Sequence, residues 1–268
     1  MSSPIIDQRI SPPSSLDVSN ALALATPRSR DRLIDASCRA LDIVGSALLL
    51  VLLAPLLAAI AIAVRLDSPG PAVFRQQRIG RGRRPFTVNK FRSMHDGAAH
   101  DRHREFVLGL IRGEQPKHDI SGPSTEIPGR ESAGPDTDGP DNPDHDDGPR
   151  PYYKMVADPR ITRVGRILRR SSLDELPQLW NVLRGDMSLV GPRPAIPYEV
   201  DNYPPAWLHR LAVKPGITGL WQVNGRSQVT LEEMVRLDVE YARRRTLWLN
   251  LRLLARTVPT VLGAKGAW

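Results

Sequence analysis

One cysteine, Cys38, stands among 268 residues. An internal disulfide framework is therefore excluded, and the chain suits a reducing compartment. No dinucleotide-binding or P-loop fingerprint occurs, because Gly80 and Gly82 stand without the further glycines and the lysine such loops need. No Ser, His and Asp order forms a defensible hydrolase triad, and no internal repeat is evident.

What is present is positive charge, unevenly spread. The formal charge is +8, from 37 basic and 29 acidic residues. Residues 113–149 hold ten acids against Lys117 and Arg130, so everything outside that run sums to +16. A body this basic suits an anionic membrane surface and phosphate-rich substrates. Charge alone admits nucleic acid as well.

The second feature is one apolar run. Residues 43–64 carry no charge in IVGSALLLVLLAPLLAAIAIAV. As a straight helix this is roughly 33 Å, enough to cross a hydrocarbon core of about 30 Å. It begins too far from the N-terminus for a simple signal peptide, and no small-residue cleavage site follows. A membrane anchor is expected. Pro55 near its middle removes a backbone hydrogen bond and predicts a kink or break. Both flanks are basic, with Arg28, Arg30, Arg32 and Arg39 before and Arg65, Arg75, Arg78, Arg81, Arg83 and Arg84 after. Positive flanks stay on the cytoplasmic side, which favours entry and return. Asp31, Asp35 and Asp42 dilute the first flank. Membrane helices also tolerate proline, so a kinked crossing stands beside re-entry.

The rest divides by composition. Residues 1–30 and the Pro/Gly/Asp-rich run 113–151 read as disordered. Strands are predicted over 72–78 and 85–92, as a hairpin around 79–84. Helices are predicted over 30–42, 101–112, 161–170 and 172–183, the last after Pro177. Thr230-Leu231-Glu232-Glu233 has capping-box form, so a helix starts there and runs to about residue 245. Residues 247–262 are amphipathic, fit either to lie on a membrane surface or to pack on the body.

The acidic pair Asp174-Glu175 is the main chemical candidate. By pattern alone, Ser172 and Glu175 form a capping box, and acids in a first helical turn answer the helix dipole. The competing reading comes from the surroundings. A carboxylate that attacks a phosphate needs cations or Mg²⁺ nearby to offset repulsion. Arg166, Arg169 and Arg170 precede the pair, and Arg193 follows in the rigid Gly191-Pro192-Arg193-Pro194 loop, where a guanidinium can clamp phosphate. Asp158 and Asp186 are further carboxylates for a metal. Lys90, Arg92 and the arginines of 79–84 are candidates for phosphate or lipid headgroups. His100 and His103 beside Asp96 and Asp101 lack the ligands to complete a metal set. Trp207 and Trp221 fit a core, an interface or a base-stacking role.

Several ordered motifs carry a resemblance. They are Leu66-Asp67-Ser68-Pro69-Gly70-Pro71, Lys90-Phe91-Arg92-Ser93-Met94 and Asp158-Pro159-Arg160-Ile161-Thr162-Arg163-Val164-Gly165-Arg166. Ser172-Leu173-Asp174-Glu175-Leu176-Pro177-Gln178-Leu179 follows, then Gly185-Asp186-Met187-Ser188-Leu189-Val190 running into the Gly191 loop. Lys214-Pro215-Gly216-Ile217-Thr218-Gly219-Leu220-Trp221-Gln222-Val223 comes last. Over about 30–95 and 152–268 the chain resembles the bacterial sugar transferases, the monotopic polyprenyl-phosphate phosphoglycosyl transferases that initiate exopolysaccharide or O-antigen assembly.

The resemblance implies a mostly α fold with a small β-hairpin. A membrane helix over 31–66 re-enters at Pro55, and amphipathic interfacial helices surround a compact cytoplasmic catalytic domain over 67–268. Ala54 replaces the serine that many relatives carry before this proline. The resemblance also implies Asp174 as nucleophile on a UDP-sugar and Glu175, with Asp174, as holder of Mg²⁺. Arg169 and Arg193 become substrate-phosphate contacts, with Lys90 and Arg92 as further substrate-binding candidates. The partners implied are a UDP-sugar, polyprenyl phosphate and the bacterial inner membrane at its cytoplasmic face, with no nucleic acid. The rival functions are a direct glycosyl transfer that releases UDP and a membrane-tethered binding protein. Deleting 115–149 is expected to leave turnover largely unchanged. Loss of turnover in a deletion variant that melts normally would give that run a part in catalysis.

Overall fold

The computed structural model describes residues 29–95, 101–112, 160–224 and 229–262. The acidic run 113–151 lies outside them, as does the arm 1–30 apart from Ser29 and Arg30. Two helices come first, α1 (Ser29–Leu52) and α2 (Ala54–Asp67). The hairpin β1 (Val73–Ile79) and β2 (Pro85–Phe91) follows, then α3 (Asp101–Ile111). After the acidic run come α4 (Arg163–Ser171), a 3₁₀ turn (Leu173–Glu175), α5 (Gln178–Arg184) and β3 (Ser188–Val190). The chain ends with α6 (Pro197–Val200), a 3₁₀ stretch (Pro205–Ala212), β4 (Gly216–Thr218), α7 (Leu220–Asn224), α8 (Leu231–Arg244) and α9 (Leu247–Leu262). The fold is mostly helical with a small antiparallel hairpin, as expected.

Pro55 sets the break in the apolar run. It lacks the N–H that would bond the carbonyl of Val51. The ladder holds on either side, with Leu53 N donating to Leu49 O at 2.9 Å and Leu57 N to Leu53 O at 2.8 Å. The two helices bend by 64° there. Among the described residues no single helix is long and apolar enough to cross a membrane, and only this bent pair qualifies together.

Both ends of the pair are rooted in one body. The inward stripe of α1 is Cys38, Asp42 and Ser46, four residues apart and each at most 3 % exposed. Asp42 accepts from Ser188 Oγ at 2.9 Å and Leu189 N at 2.8 Å, so a buried carboxylate ties α1 to β3. Arg39 donates to Val182 O at 2.6 Å and Leu183 O at 2.7 Å, carbonyls in the last turn of α5. Asp35 pairs with Arg81 and Arg245. These charges, read above as flanks that set topology, hold tertiary structure. At the other root, Ile60 and Val64 of α2 pack with Phe91 and Leu168. Asp67 Oδ2 accepts from Val164 N at 3.0 Å, at the start of α4. Between the roots the tip is bare, with Val51 76 % and Leu52 68 % exposed.

The hairpin pairs Val73 with Phe91 through Ile79 with Pro85, one residue from the predicted bounds. Its turn is a 3₁₀ segment over Arg81–Arg83. Asn181 of α5 brackets β2, donating to Thr87 O at 2.7 Å and accepting from Asn89 N at 3.0 Å. The predicted capping box forms, with Thr230 Oγ1 accepting from Glu233 N and Glu233 Oε2 from Thr230 N. Helix α9 packs on the body, one of the two readings the sequence allowed. Leu253 enters the core, while Trp248, Leu251 and Val258 are exposed on its outer side.

A parallel pair, β3 with β4, was not foreseen. Each strand has three residues, too few for a period to register. Gly191 and Gly216 permit it, since a Cβ on Gly216 would lie 2.0 Å from Gly191 N. Arg210, 2 % exposed, pairs with the buried Asp238 at 2.5 Å and donates to Tyr203 Oη at 2.9 Å. Removing one member of such a buried pair leaves an uncompensated charge. Arg210→Met is therefore expected to cost about 3 kcal/mol in denaturant unfolding, and adding Asp238→Leu to recover most of it. Equal stability of the single and double variants would show that the pair does not act as a unit.

Candidate active site

The acidic pair sits on a turn, not at a helix start. Helix α4 ends at Ser172, which adopts φ 57° and ψ 18°, a left-handed conformation uncommon for a residue with a Cβ. Its N–H donates to Arg169 O at 3.3 Å. The chain then makes one 3₁₀ turn, closed by Leu176 N donating to Leu173 O at 3.3 Å. Leu173 and Leu176 pack inward. The capping box weighed from the pattern does not form, because the Ser172 side chain makes no cap bond. Glu175 Oε1 instead accepts from Lys90 Nζ of β2 at 3.0 Å.

That bond joins the acidic turn to the hairpin. Glu175 and Lys90 line a small cleft with Arg78, Gln178, Arg193 and Gln222. Its volume is about 20 Å³, which holds little more than a water molecule. A larger substrate must lie across its mouth. Gln222 donates to Ile217 O at 3.0 Å, while its Oε1 is buried with no hydrogen-bond partner.

The Arg193 loop is held by its backbone. Gly216 N donates to Pro192 O at 2.8 Å, Arg210 Nη2 to Arg193 O at 3.1 Å, Arg78 Nη1 to Pro194 O at 2.9 Å and Ile79 N to Ala195 O at 2.9 Å. Four successive carbonyls are thus tied to three different parts of the fold. Such a loop presents its guanidinium with little left to order on binding.

The two carboxylates differ. Burial pushes the Asp174 carboxyl up, and the neighbouring Glu175 charge adds to this, against Lys90 and Arg169, to a pKa of about 6. For Glu175, burial is outweighed by Lys90, Arg193 and Arg78, and its pKa falls below the usual carboxylate value. Glu175 is therefore the more readily ionised of the two, and Asp174 the one whose proton is held to higher pH. Two carboxylates stand against four cations, Arg78, Lys90, Arg169 and Arg193. The local balance of two positive charges draws an anionic phosphate.

The predicted residues do not all converge. Arg92 lies away from this cleft, where its Nη2 donates to Ser68 O at 2.6 Å and Ser68 Oγ at 2.9 Å beyond the end of α2. Asp186 lies 3.6 Å from Arg184 in an ion pair. Trp221 is buried and packs with Leu231 and Met234, with Trp207 against them, so of the three readings both tryptophans take the core one. Asp158, Asp96 and His100 fall outside the described residues, as do the side chains of Asp101 and His103. Among the described residues no three His, Cys, Asp or Glu side chains cluster as a metal site. Two hard carboxylates with substrate phosphates nevertheless match the habits of Mg²⁺, which takes one or two protein carboxylates and completes its shell with phosphate and water. Sequence reasoning missed Arg78, Gln178 and Gln222. Arg78 was visible only as flank charge, and the glutamines only as text within matching motifs.

The profile of a family described as "Bacterial sugar transferase" matches residues 34–264. A UDP-glucose:undecaprenyl-phosphate glucose-1-phosphate transferase of Caulobacter vibrioides is 39 % identical over 243 residues, covering 88 % of this chain and 73 % of that protein. An undecaprenyl-phosphate galactose phosphotransferase of Salmonella typhimurium is 38 % identical over 230 residues, 86 % of this chain and 41 % of its own. The exopolysaccharide production protein ExoY of Rhizobium meliloti is 32 % identical over 230 residues, covering 86 % and 87 %. The chain therefore spans less than half of some relatives and most of others.

The raised pKa of Asp174 has a stability consequence. Between its unfolded value near 3.8 and about 6, the native state keeps a proton that the unfolded chain gives up. Native stability from this group is full at low pH and is lost as pH rises through about 6. The gain in melting temperature of Asp174→Asn over wild type should thus be near zero at pH 4, grow towards pH 6 and level off above pH 7. A gain independent of pH would contradict the assignment.

Proposed function

The chain belongs to the bacterial sugar transferase family, and from that membership we propose that it transfers a hexose 1-phosphate from a UDP-sugar to undecaprenyl or another polyprenyl phosphate. The observation that carries the reading is the acidic turn itself: an ionised Asp174 beside Glu175, faced by Lys90, Arg78, Arg169 and Arg193. Glucose or galactose is the sugar, in keeping with the names of the relatives.

The reaction runs in two steps at one carboxylate. An Asp174 oxygen attacks the β-phosphorus of the UDP-sugar. The bond from that phosphorus to the bridging oxygen breaks, and UMP leaves. The product is an aspartyl-phosphosugar. An oxygen of the polyprenyl phosphate then attacks the same phosphorus, the bond to Asp174 breaks, and the carboxylate is regenerated on release of polyprenyl-diphosphate-sugar. Two steps avoid bringing a diphosphate and a phosphate monoester together on one cationic patch. Arg193, on its fixed loop, and Arg169 hold the donor phosphates and stabilise the charge that develops on them. Lys90 keeps Glu175 in place and offsets the repulsion between the pair and the incoming phosphate. Asp174 and Glu175 would hold Mg²⁺, which supplies charge neutralisation at the phosphates.

The bent pair α1–α2 seats in the cytoplasmic face of the bacterial inner membrane as a re-entrant hairpin. Both its roots lie on one body, and its tip is apolar and exposed. A crossing would have to carry one root away from the body that buries it. The exposed Trp248, Leu251 and Val258 of α9, beside Arg252 and Arg256, suit the same interface. The active site then lies at the depth of lipid phosphates.

The test is to combine purified protein, UDP-glucose or UDP-galactose, Mg²⁺ and undecaprenyl phosphate, and to identify the nucleotide released. UMP is expected. UDP would mean direct glycosyl transfer, and no turnover across a panel of UDP-sugars would leave a tethered binding protein. Asp174→Asn should reduce turnover by about a thousandfold or more while keeping the fold. Near-normal activity in that variant would remove Asp174 as nucleophile.

A further inference from the structure

A second concavity lies beside the anchor, between α2 and β1. It is an open groove of about 580 Å³ lined by Ala61, Arg65, Phe74, Arg75 and Arg92, with Pro71, Ala72 and Val73 along its floor. Three guanidinium-bearing side chains line it and no acid does. Arg65 and Arg75 are exposed, whereas Arg92 is 5 % exposed. The Nη2 of Arg92 is spent on Ser68 and the Val64 carbonyl, but its Nε and Nη1 are buried with no hydrogen-bond partner. A buried cation with unused donors at the edge of a basic groove calls for an anion.

The position narrows which anion. Arg92 follows Lys90 by two residues, so the two side chains leave the same face of the strand, about 7 Å apart along it. Phe74, which lines the groove, pairs directly with Lys90 across the hairpin. Lys90 in turn holds Glu175. Through Phe74 and Arg92 the groove therefore reaches the sheet face from which Lys90 meets Glu175. On its other side the groove is walled by α2, whose Ile62 and Leu66 are 60 % and 83 % exposed. A ligand that fits carries a phosphate at one end and a hydrocarbon chain at the other. A phosphate monoester, with nearly two negative charges, answers three cations better than the single charge of a phospholipid diester.

We propose that this groove holds the phosphate of the acceptor polyprenyl phosphate, next to but apart from the Asp174-bound phosphorus it will attack. The inference rests on the transferase reading above and adds a site to it. The phosphate lies against Arg92, Arg65 and Arg75, and the first isoprene units lie over Ala61 and Phe74 towards the exposed side of α2. Held there, the acceptor stays clear of Asp174 while the donor phosphate reacts, and has one short move to make once UMP has gone.

The test is direct binding, which needs no turnover. Purified full-length protein in detergent micelles is titrated with a fluorescent polyprenyl phosphate, and separately with the matching polyprenol. Wild type should bind the phosphate about tenfold or more tightly than the alcohol, and Arg65→Gln/Arg75→Gln should lose about tenfold in affinity for the phosphate alone. Both changes lie at exposed positions, and an unchanged melting temperature establishes that the variant is folded. Arg75→Glu, which reverses one charge, should weaken binding more than Arg75→Gln. Unchanged affinity in these variants, or equal binding of phosphate and alcohol, overturns the inference. Displacement by phosphatidylglycerol at concentrations equal to the polyprenyl phosphate also overturns it, because the groove would then be a general phospholipid site. UMP release is measured separately, so failure of the chemistry and failure of the groove are told apart.

Discussion

The ion pair between Lys90 and Glu175 is the contact on which the placement of the acidic turn depends. It fastens the acidic turn to β2, and β2 is itself fastened on either side. Asn89 is held by Asn181 of α5, and Arg92 by Ser68 at the end of α2. The strand is thus a rail that fixes the turn, the helix behind it and α2 in one frame. Without Lys90, Glu175 would stand beside Asp174 with one cation fewer, and two like charges on adjacent residues would compete for a single proton. With it, Glu175 stays charged and Asp174 takes the raised pKa.

The bent helix pair is attached by the same logic of buried charge. A carboxylate at Asp42 and a guanidinium at Arg39 leave water only because backbone groups receive them. Such contacts are directional, so they hold α1 at one rotation and one depth where apolar packing alone would allow sliding. The break at Pro55 then sends α2 back to a root on the same body. The geometry of the helix pair and that of the candidate site are parts of one frame, and the groove lies beside α2.

Rigid backbone also explains the Arg193 loop. Proline at 192 and 194 limits its torsions, and the carbonyls from Pro192 to Ala195 are each tied elsewhere. Gly191 and Gly216 let β3 and β4 approach closely enough for those ties to form. The buried Arg210–Asp238 pair reaches the same loop from behind. A loop built this way pays its ordering entropy at folding.

Much of this was legible from residues alone. The apolar run, its break at Pro55, the hairpin, the capping box at Thr230 and the ordered motifs all depend on local pattern, and local pattern is what a sequence displays. The acidic pair was visible too, but its role was not. Ser172 and Glu175 spell a capping box, and only the left-handed turn at Ser172 and the reach of Lys90 across 85 residues show that the box does not form. The same holds for Arg78, which sequence shows as flank charge and folding turns inward to the Pro194 carbonyl, and for Arg92, which folding withdraws from the cleft to the end of α2. Which charges face water, which cap a helix and which meet at a cleft is decided by partners distant in the chain, and no short-range pattern records them. The sequence by itself determined the family motifs, the broken apolar run and the elements; the tertiary structure decided which of its many cations gather around Asp174 and Glu175.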